Sequence, residues 1–372
     1  MATTLVTRTT PRLVGPSADW REAALVAPGD AHGRLFDACE ALLAVESAGD
    51  SAGEAPSGKL LALSWNAERL KYLAASAERL RPLAADVILL TELDRGMARS
   101  GNRDTVGELA AALGMAHCFA VEFIELELGD SRERAWHAGI ANREGLHGNA
   151  ILSRWPIEAA GMVRLERDGF WFDGSRNGER RIGGRNAALA RVAGITFCSV
   201  HLESHSDPEH RALQTTRLLD AVLDFAGADP IVIGGDFNTA TVGHGQKGGL
   251  DAERLCNPVP FEPLFEIMAE RGFAWEAANE MGVATQRTRP DGTPAPPFGR
   301  IDWLFVRGLD ARDAATLAAV DAAGAAISDH EILSVTVERR RCGSSPTTSS
   351  TASAATGATI SPASPGRSRP PT

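Results

Sequence analysis

The chain has 372 residues, of which 44% are hydrophobic and 23% are charged, a composition typical of soluble globular proteins. Its formal net charge of −10 gives no electrostatic reason to expect tight, non-specific binding to duplex DNA. Five widely spaced cysteines without a CxxC pair argue against a disulfide framework and predict a reducing, cytoplasmic compartment, and no apolar stretch is long enough to cross a membrane as a helix.

The first 58 residues are predicted to be an extension that precedes the main domain. Residues 1–18 are rich in Thr and Pro and are expected to be mobile. The apolar spacing over residues 32–47 predicts one amphipathic helix. Residues 48–58 are small and polar and include Gly and Pro, so they are interpreted as a linker.

Residues 59–338 alternate between apolar, strand-like runs and helical stretches, which predicts one large α/β domain. Strands are predicted at Leu60–Trp65, Asp86–Thr91, Cys118–Leu128, Asn149–Ser153, Ala187–Val200, Ile231–Gly235, Ile301–Val306 and Ile332–Val337. Helices are predicted at Glu68–Arg81, Thr105–Leu113, Glu209–Phe225 and Phe261–Arg271. Residues 339–372 are rich in Ser, Thr, Pro and Ala, cannot bury a core, and are predicted to form a disordered tail.

Polar residues stand at the ends of the predicted strands. Four of them directly follow an apolar run and three stand where a run begins: Asn66, Glu92, His201 and Asp236, then Asp302, Asp329 and His330. If neighbouring strands are antiparallel, the end of one strand and the start of the next share an edge of the sheet. All seven side chains are therefore expected to line one rim, where active sites tend to lie.

Two short strings carry most of the chemistry. The run Ile231–Gly235 leads into Asp236-Phe237-Asn238, and Ser328-Asp329-His330 places a carboxylate beside an imidazole. Carboxylate and amide oxygens at strand ends suit a hard cation such as Mg²⁺, and an adjacent histidine suits proton transfer. Together they indicate metal-assisted hydrolysis of a phosphoester.

From roughly Leu60 to Val337, the chain resembles the endonuclease/exonuclease/phosphatase (deoxyribonuclease I-like) superfamily in the order of its motifs. The strings that carry the resemblance are Ser64-Trp65-Asn66, Thr91-Glu92-Leu93-Asp94, Gly148-Asn149-Ala150, Gly184-Arg185-Asn186, Val200-His201-Leu202, Gly235-Asp236-Phe237-Asn238, Arg300-Ile301-Asp302 and Ser328-Asp329-His330. Each string alone is weak, whereas the set in this order is specific.

The resemblance implies a fold and a cofactor. The expected fold is a four-layer α/β/β/α sandwich with two mixed, largely antiparallel sheets, and the chain is expected to be a monomer. The expected cofactor is Mg²⁺ or Mn²⁺, held by Asn66, Glu92 and Asp329. Oxygen ligands that leave several waters in place are what Mg²⁺ prefers.

The resemblance also implies catalytic roles. Asp236 would orient or activate the attacking water, and Asp302 would orient His330, which acts as a general base or as an electrostatic stabiliser. The remaining positions would contact phosphate oxygens: Asn238, His201, Arg185 and Asn149.

One departure bears on the substrate. Nuclease branches of the superfamily contact the phosphate through a tyrosine between the positions of Glu92 and Arg185, and the only tyrosine here is Tyr72. His147, Asn149 or Trp136 could take its place. The expected substrate is nucleic acid or a small phosphodiester, with a small or single-stranded one favoured over duplex DNA. A catalytically silent binding module on the same fold is the alternative.

Overall fold

The computed structural model describes residues 5–340, except residues 52, 55, 57, 168, 175–177, 243–250 and 287–298. The tail from residue 341 onward, for which disorder is predicted, lies outside the described residues. Within the described ranges, no helix is both long enough and apolar enough to span a bilayer.

The described residues form fifteen strands and eight α-helices. The strands are β1 Leu5–Val6, β2 Thr9–Thr10, β3 Val45–Ala48, β4 Leu60–Arg69, β5 Val87–Arg95, β6 Ala116–Glu125, β7 Leu146–Ser153, β8 Ala159–Arg164, β9 Arg181–Gly183, β10 Asn186–Val192, β11 Ile195–His201, β12 Ile231–Asp236, β13 Asp302–Arg307, β14 Leu309–Leu317 and β15 Ile332–Arg339. The helices are α1 Ala18–Leu25, α2 His32–Ala38, α3 Leu73–Leu80, α4 Thr105–Leu113, α5 Ser131–Trp136, α6 Pro208–Ala226, α7 Ala252–Cys256 and α8 Leu264–Glu270.

The strands build two mixed sheets. The six-stranded sheet has the order β1-β8-β10-β11-β12-β13, and the nine-stranded sheet has the order β14-β15-β4-β5-β7-β6-β3-β2, with β9 paired to β6. Among the described strands, β11–β12, β4–β5 and β2–β3 pair in parallel and the other pairs are antiparallel.

Alternation along β5 shows how the layers form. Val87 and Leu89 point into the core between the two sheets, where they meet residues such as Val232 of the other sheet. Ile88 and Leu90 point the opposite way, into a core that helices α3 and α4 share. A third core packs the six-stranded sheet against α6 and α8. Because both faces of each sheet are covered, the four-layer α/β/β/α sandwich is confirmed.

The expectation for the N-terminal residues was partly wrong. The helix predicted over residues 32–47 ends at Ala38, and Val45–Ala48 instead forms β3 against β6. Leu5–Val6 pairs with β8 and Thr9–Thr10 pairs with β3, so residues expected to be mobile add a short strand to each sheet. Apolar spacing alone did not distinguish one helix from a short helix followed by a strand. The predicted domain boundaries stay a prediction.

The single strand predicted over Ala187–Val200 was also wrong. It is a hairpin of β10 and β11, in which Val192 pairs with Ile195. The two connecting residues, Ala193 and Gly194, both have positive φ angles, of 53° and 63°, as in the tight turns that suit the twist of paired strands. The hairpin brings the residues that precede β10 beside the end of β11.

The backbone of Gly235, near the end of β12, packs closely against the neighbouring strand β11. Its φ angle is +147°, and a Cβ atom there would lie 1.9 Å from the carbonyl oxygen of Val200. We expect Gly235→Ala to lower the free energy of unfolding by about 2–4 kcal/mol, since both the backbone and the neighbouring strand must shift. Urea denaturation measures this change. Gly29→Ala, where no atom lies within 4 Å of the added Cβ, is the control; equal stability of the two variants would contradict the prediction.

Candidate active site

Strand register places three of the predicted site residues side by side. His201 ends β11 and pairs with Asp236 at the end of the parallel strand β12. Asp236 in turn pairs with Asp302 at the start of the antiparallel strand β13. The ends of β11 and β12 and the start of β13 therefore share one edge of the six-stranded sheet, as the sequence predicts.

The nine-stranded sheet contributes Asn66 and Glu92 through irregular strands. The β4–β5 register shifts between Asn66 and Arg69, and the β5–β7 register shifts between Leu90 and Leu93. Glu92 lies in the second shift and has a φ angle of +57°. β-Bulges bend a strand and re-aim a side chain, and here the irregularity turns Glu92 towards the rim.

The Oδ2 atom of Asp236 is the point on which the side chains converge. It accepts a hydrogen bond from Asn66 Nδ2 at 3.0 Å. The Nε2 atoms of His201 and His330 lie 3.6 Å and 3.8 Å away. The other oxygen, Oδ1, accepts the backbone N–H of Asn238 at 2.9 Å, so the carboxylate is fixed in orientation. The two sheets therefore meet at one buried carboxylate.

His330 is held on three sides. Its Nδ1 lies 2.8 Å from Asp302 Oδ2, its backbone N–H donates to Ser328 Oγ at 3.1 Å, and its carbonyl oxygen accepts the Trp65 indole N–H at 3.1 Å. Burial alone would lower the pKa of His330, but the negative charges of Asp302 and Asp329 outweigh burial and raise it well above its ordinary value. The Nε2 atom of His330 faces Asp236 and Asp329.

The carboxylates of Glu92 and Asp329 differ in their surroundings. Burial would raise the pKa of Glu92, but the charge of Arg69, whose Nη1 lies 3.6 Å away, and those of the nearby histidines together outweigh burial and lower the pKa well below its ordinary value. Burial raises the pKa of Asp329 to about 6, although the charge of His330, whose Nε2 lies 3.9 Å away, opposes the rise. Burial and then repulsion from Asp302 raise the pKa of Asp236 to about 7. The rim therefore has more negative charge than its own cations offset.

These residues fit a hard divalent cation. The described residues offer a close group of Glu92, His201 and Asp236 and another of Asp236, Asp302 and His330. The acidic donors are oxygens, and the excess of buried negative charge is what a cation would relieve. Asn66 presents its amide nitrogen to Glu92 and Asp236, because its Oδ1 accepts the backbone N–H of Glu68 at 3.1 Å. The structure thus favours Asn66 as a donor that orients carboxylates, and its role as a ligand stays a prediction.

Arg185 and Asn149, predicted to contact phosphate, lie deeper than the rim. Arg185 is 7% exposed and its Nη1 atom donates to Glu122 Oε1 at 2.7 Å. Asn149 is fully buried, and its Nδ2 atom donates to the side chain and backbone oxygens of Asn186 at 2.8 and 3.1 Å. A direct phosphate contact by Asn149 stays a prediction that this geometry does not support.

Asn238 and His201 lie closer to the rim. The φ angle of Asn238 is +50°, and its amide nitrogen donates to the Leu202 carbonyl at 3.0 Å, so its amide oxygen faces away from Leu202. Burial and then the charge of Arg185 lower the pKa of His201 well below its ordinary value. His201 is therefore neutral in this setting.

Trp136 and His147, two of the residues that could replace the missing tyrosine, differ in exposure and in contacts. Trp136 is 60% exposed on α5. His147 is buried, with Nδ1 2.7 Å from Asp94 Oδ1, and Arg99 donates twice to the same carboxylate at 2.8 and 2.9 Å. His147 is thus part of an internal ion-pair network, and burial lowers its pKa to about 4.

Sequence reasoning missed several charged residues that support the site. Arg69 bridges Glu92 and Glu133, and Glu122 pairs with Arg185. Glu122 could have been identified from the sequence, because a charged residue inside the apolar run of β6 must find a partner. Arg69 could not, since its position depends on the bulge that follows Asn66.

Comparisons with known proteins identify the family to which the chain belongs. The family model described as "Endonuclease/Exonuclease/phosphatase family" matches residues 63–330, and the chain belongs to that family. No curated protein gave a significant match. Among solved structures, an endonuclease/exonuclease/phosphatase from Beutenbergia cavernae is 18% identical with a TM-score of 0.50, covering 76% of this chain and 72% of that one. A functionally unknown conserved protein from Enterococcus faecalis is 15% identical with a TM-score of 0.50, covering 76% of this chain and all of that one. At such identities these two structures show the shared fold alone.

One hydroxyl joins two segments of the site and provides a test of its rigidity. Ser328 Oγ donates to the Asn66 carbonyl at 2.7 Å and accepts the His330 N–H at 3.1 Å. We expect Ser328→Ala to lower the free energy of unfolding by about 1–3 kcal/mol, because two buried groups lose their partner. Ser334→Ala, whose hydroxyl makes one contact of 3.5 Å, is the control in chemical denaturation. A loss no larger than the control's would contradict the prediction.

Proposed function

We propose that this member of the endonuclease/exonuclease/phosphatase family is a divalent-metal-dependent hydrolase of phosphoesters, of the phosphodiesterase, nuclease or phosphatase type. Members of the family are metal-dependent phosphoester hydrolases. The observation that carries the proposal is the convergence of Asn66, His201 and His330 on Asp236 Oδ2 at one buried rim. Burying carboxylates that repel one another and are only partly paired with cations is costly, and a catalytically silent binding module would not require it.

Glu92 and Asp329 are the proposed ligands of Mg²⁺ or Mn²⁺. A divalent ion bound there would offset the charge of the phosphate as a Lewis acid. Among the described residues, no group that could hold a metal ion includes a cysteine, and carboxylates outnumber histidines in each group, which favours a hard cation over zinc.

Asp236 is the proposed base that orients and deprotonates the attacking water. Its raised pKa, about 7, lies close to neutral pH, where a general base is most effective. His330, held by Asp302, is proposed to act as an electrostatic stabiliser, because its raised pKa keeps the imidazole protonated. His201 would donate a hydrogen bond to a phosphate oxygen, and Asn238 would do so through the second hydrogen of its amide nitrogen, since the first goes to the Leu202 carbonyl.

The proposed substrate is a small or single-stranded phosphodiester, including nucleic acid of that kind. A groove of about 960 Å³ runs beside Asn238 and has room for the organic group attached to the phosphate. Phe170, which lines this groove, is 41% exposed, whereas Trp171 and Phe172 are packed in the core. An aromatic ring at this place can stack on a base. The net charge of −10 weakens any attraction to a long duplex.

We also propose that the protein acts in the cytoplasm as a monomer. The four cysteines in the described part of the chain are free, and three of them are buried. Free thiols are typical of a reducing compartment.

The first test is metal removal. Hydrolysis of bis-p-nitrophenyl phosphate should stop in EDTA and return with Mg²⁺ or Mn²⁺. Glu92→Gln should raise the Mg²⁺ concentration needed for half-maximal activity by about tenfold or more, because one ligand charge is lost. Isothermal titration calorimetry would measure the weaker binding directly. Glu78→Gln, an exposed carboxylate on α3, is the matched control. Full activity in chelator, or equal Mg²⁺ affinity of both variants, would contradict the proposal.

The second test concerns Asp302 and His330. His330→Ala should lower kcat by ~10²–10⁴. Asp302→Asn keeps the volume but removes the charge that holds the imidazole, so it should cause a comparable loss. The double variant should be little worse than either single variant, because the two residues act as one unit. Losses that multiply in the double variant, or a near-normal rate for His330→Ala, would refute this assignment.

A further inference from the structure

The contact between Arg185 and His201 fixes where the histidine holds its proton. Arg185 Nη1 lies 2.9 Å from His201 Nδ1 and 2.7 Å from Glu122 Oε1. A guanidinium nitrogen only donates, and Nη1 has two hydrogens, so each contact takes one of them. His201 Nδ1 must therefore accept and holds no hydrogen, which makes the ring neutral with its proton on Nε2.

The protonated nitrogen faces the cleft. His201 Nε2 lies 3.6 Å from Asp236 Oδ2 and 4.0 Å from Glu92 Oε1, so the N–H points to the place where the proposed function puts the phosphate. We infer that Arg185 is a positioning residue that holds His201 in the Nε2–H tautomer, so that His201 meets the substrate as a neutral hydrogen-bond donor and not as a general acid. The tautomer of His201 follows from the contact with Arg185 alone, and only its effect on catalysis rests on the proposed function.

Arg185 is itself held firmly in place. Its guanidinium lies 5.0 Å from the centroid of the Trp171 ring, and its Nε lies 3.5 Å from Glu203 Oε2. Glu122 is fully buried on β6, so its carboxylate cannot move to solvent. Because Arg185 sits between two buried carboxylates, swinging it towards a phosphate would leave negative charge unpaired in the core.

The structure also predicts what happens when Arg185 is removed. Glu122 Oε2 lies 3.8 Å from His201 Nδ1. Without the arginine, this carboxylate is an acceptor within reach of a proton on Nδ1. The tautomer should then reverse, and Nε2 would lose the hydrogen that it presents to the cleft.

The test is the ¹⁵N spectrum of the full-length protein labelled at histidine, recorded without substrate. Long-range ¹H–¹⁵N correlations distinguish protonated from unprotonated ring nitrogens, and a His201→Gln sample identifies the His201 signals. We expect wild-type His201 to be protonated on Nε2 alone. Arg185→Met should move the proton to Nδ1, whereas Arg185→Lys should keep the wild-type tautomer, because lysine is also donor-only. If Arg185→Met fails to fold, wild-type and Arg185→Lys spectra still decide the question.

Kinetics provide a second readout. Arg185→Met should lower kcat by about 10²-fold with little change in KM, as for the loss of one donor to the transition state. Arg181→Met is the matched control, since Arg181 pairs with Glu125 and Glu179 and should leave both tautomer and kcat unchanged. A rise in KM alone would mean that Arg185 binds phosphate directly and would overturn the inference.

Failure of the inference is distinguishable from failure of the proposed function. A wild-type His201 protonated on Nδ1, or on both nitrogens, would overturn the inference even if phosphoesters are hydrolysed. Absence of hydrolysis with the Nε2–H tautomer intact would refute the proposed function and leave the Arg185–His201 relation standing.

Discussion

The register between β11, β12 and β13 is the constraint on which the rest of the site depends. It places His201, Asp236 and Asp302 opposite one another at one sheet edge, whatever their side chains prefer. Two neighbouring acids in a buried edge repel each other, and His330 between them offsets part of that repulsion. A one-residue slip of β12 would turn the Asp236 side chain to the other face of the sheet and remove it from beside His201 and Asp302.

Much of this arrangement was predictable from the sequence, for a physical reason. Apolar runs that end in Asp236 or begin at Asp302 define strand ends, and strand ends in a layered fold share a rim. What the sequence did not reveal depends on backbone detail. The positive φ angle of Glu92 and the turn at Ala193 arise from pairing with neighbouring strands, and a local stretch of sequence does not specify which strands it pairs with.

The charged residues behind the rim were the other part that sequence reasoning missed. Arg69 and Glu122 come from separate segments, and only the folded sheets bring Arg69 beside Glu92 and Glu122 beside Arg185. Arg185 was itself predicted as a site residue, but not its contact with His201. Buried charges of this kind add little net stability, because desolvation offsets their attraction. Their value lies in orientation, since each fixes the direction of one carboxylate or imidazole at the rim.

If this rim is one metal-assisted phosphoester site, as we propose, it must bind a divalent cation at Glu92. Anomalous diffraction from crystals of the full-length protein soaked in Mn²⁺ would locate that cation. We expect a strong peak within bonding distance of the Glu92 carboxylate, absent in Glu92→Gln. A strongest peak at the other carboxylate cluster, Asp130, Glu133 and Glu179, or no peak at Glu92, would contradict it.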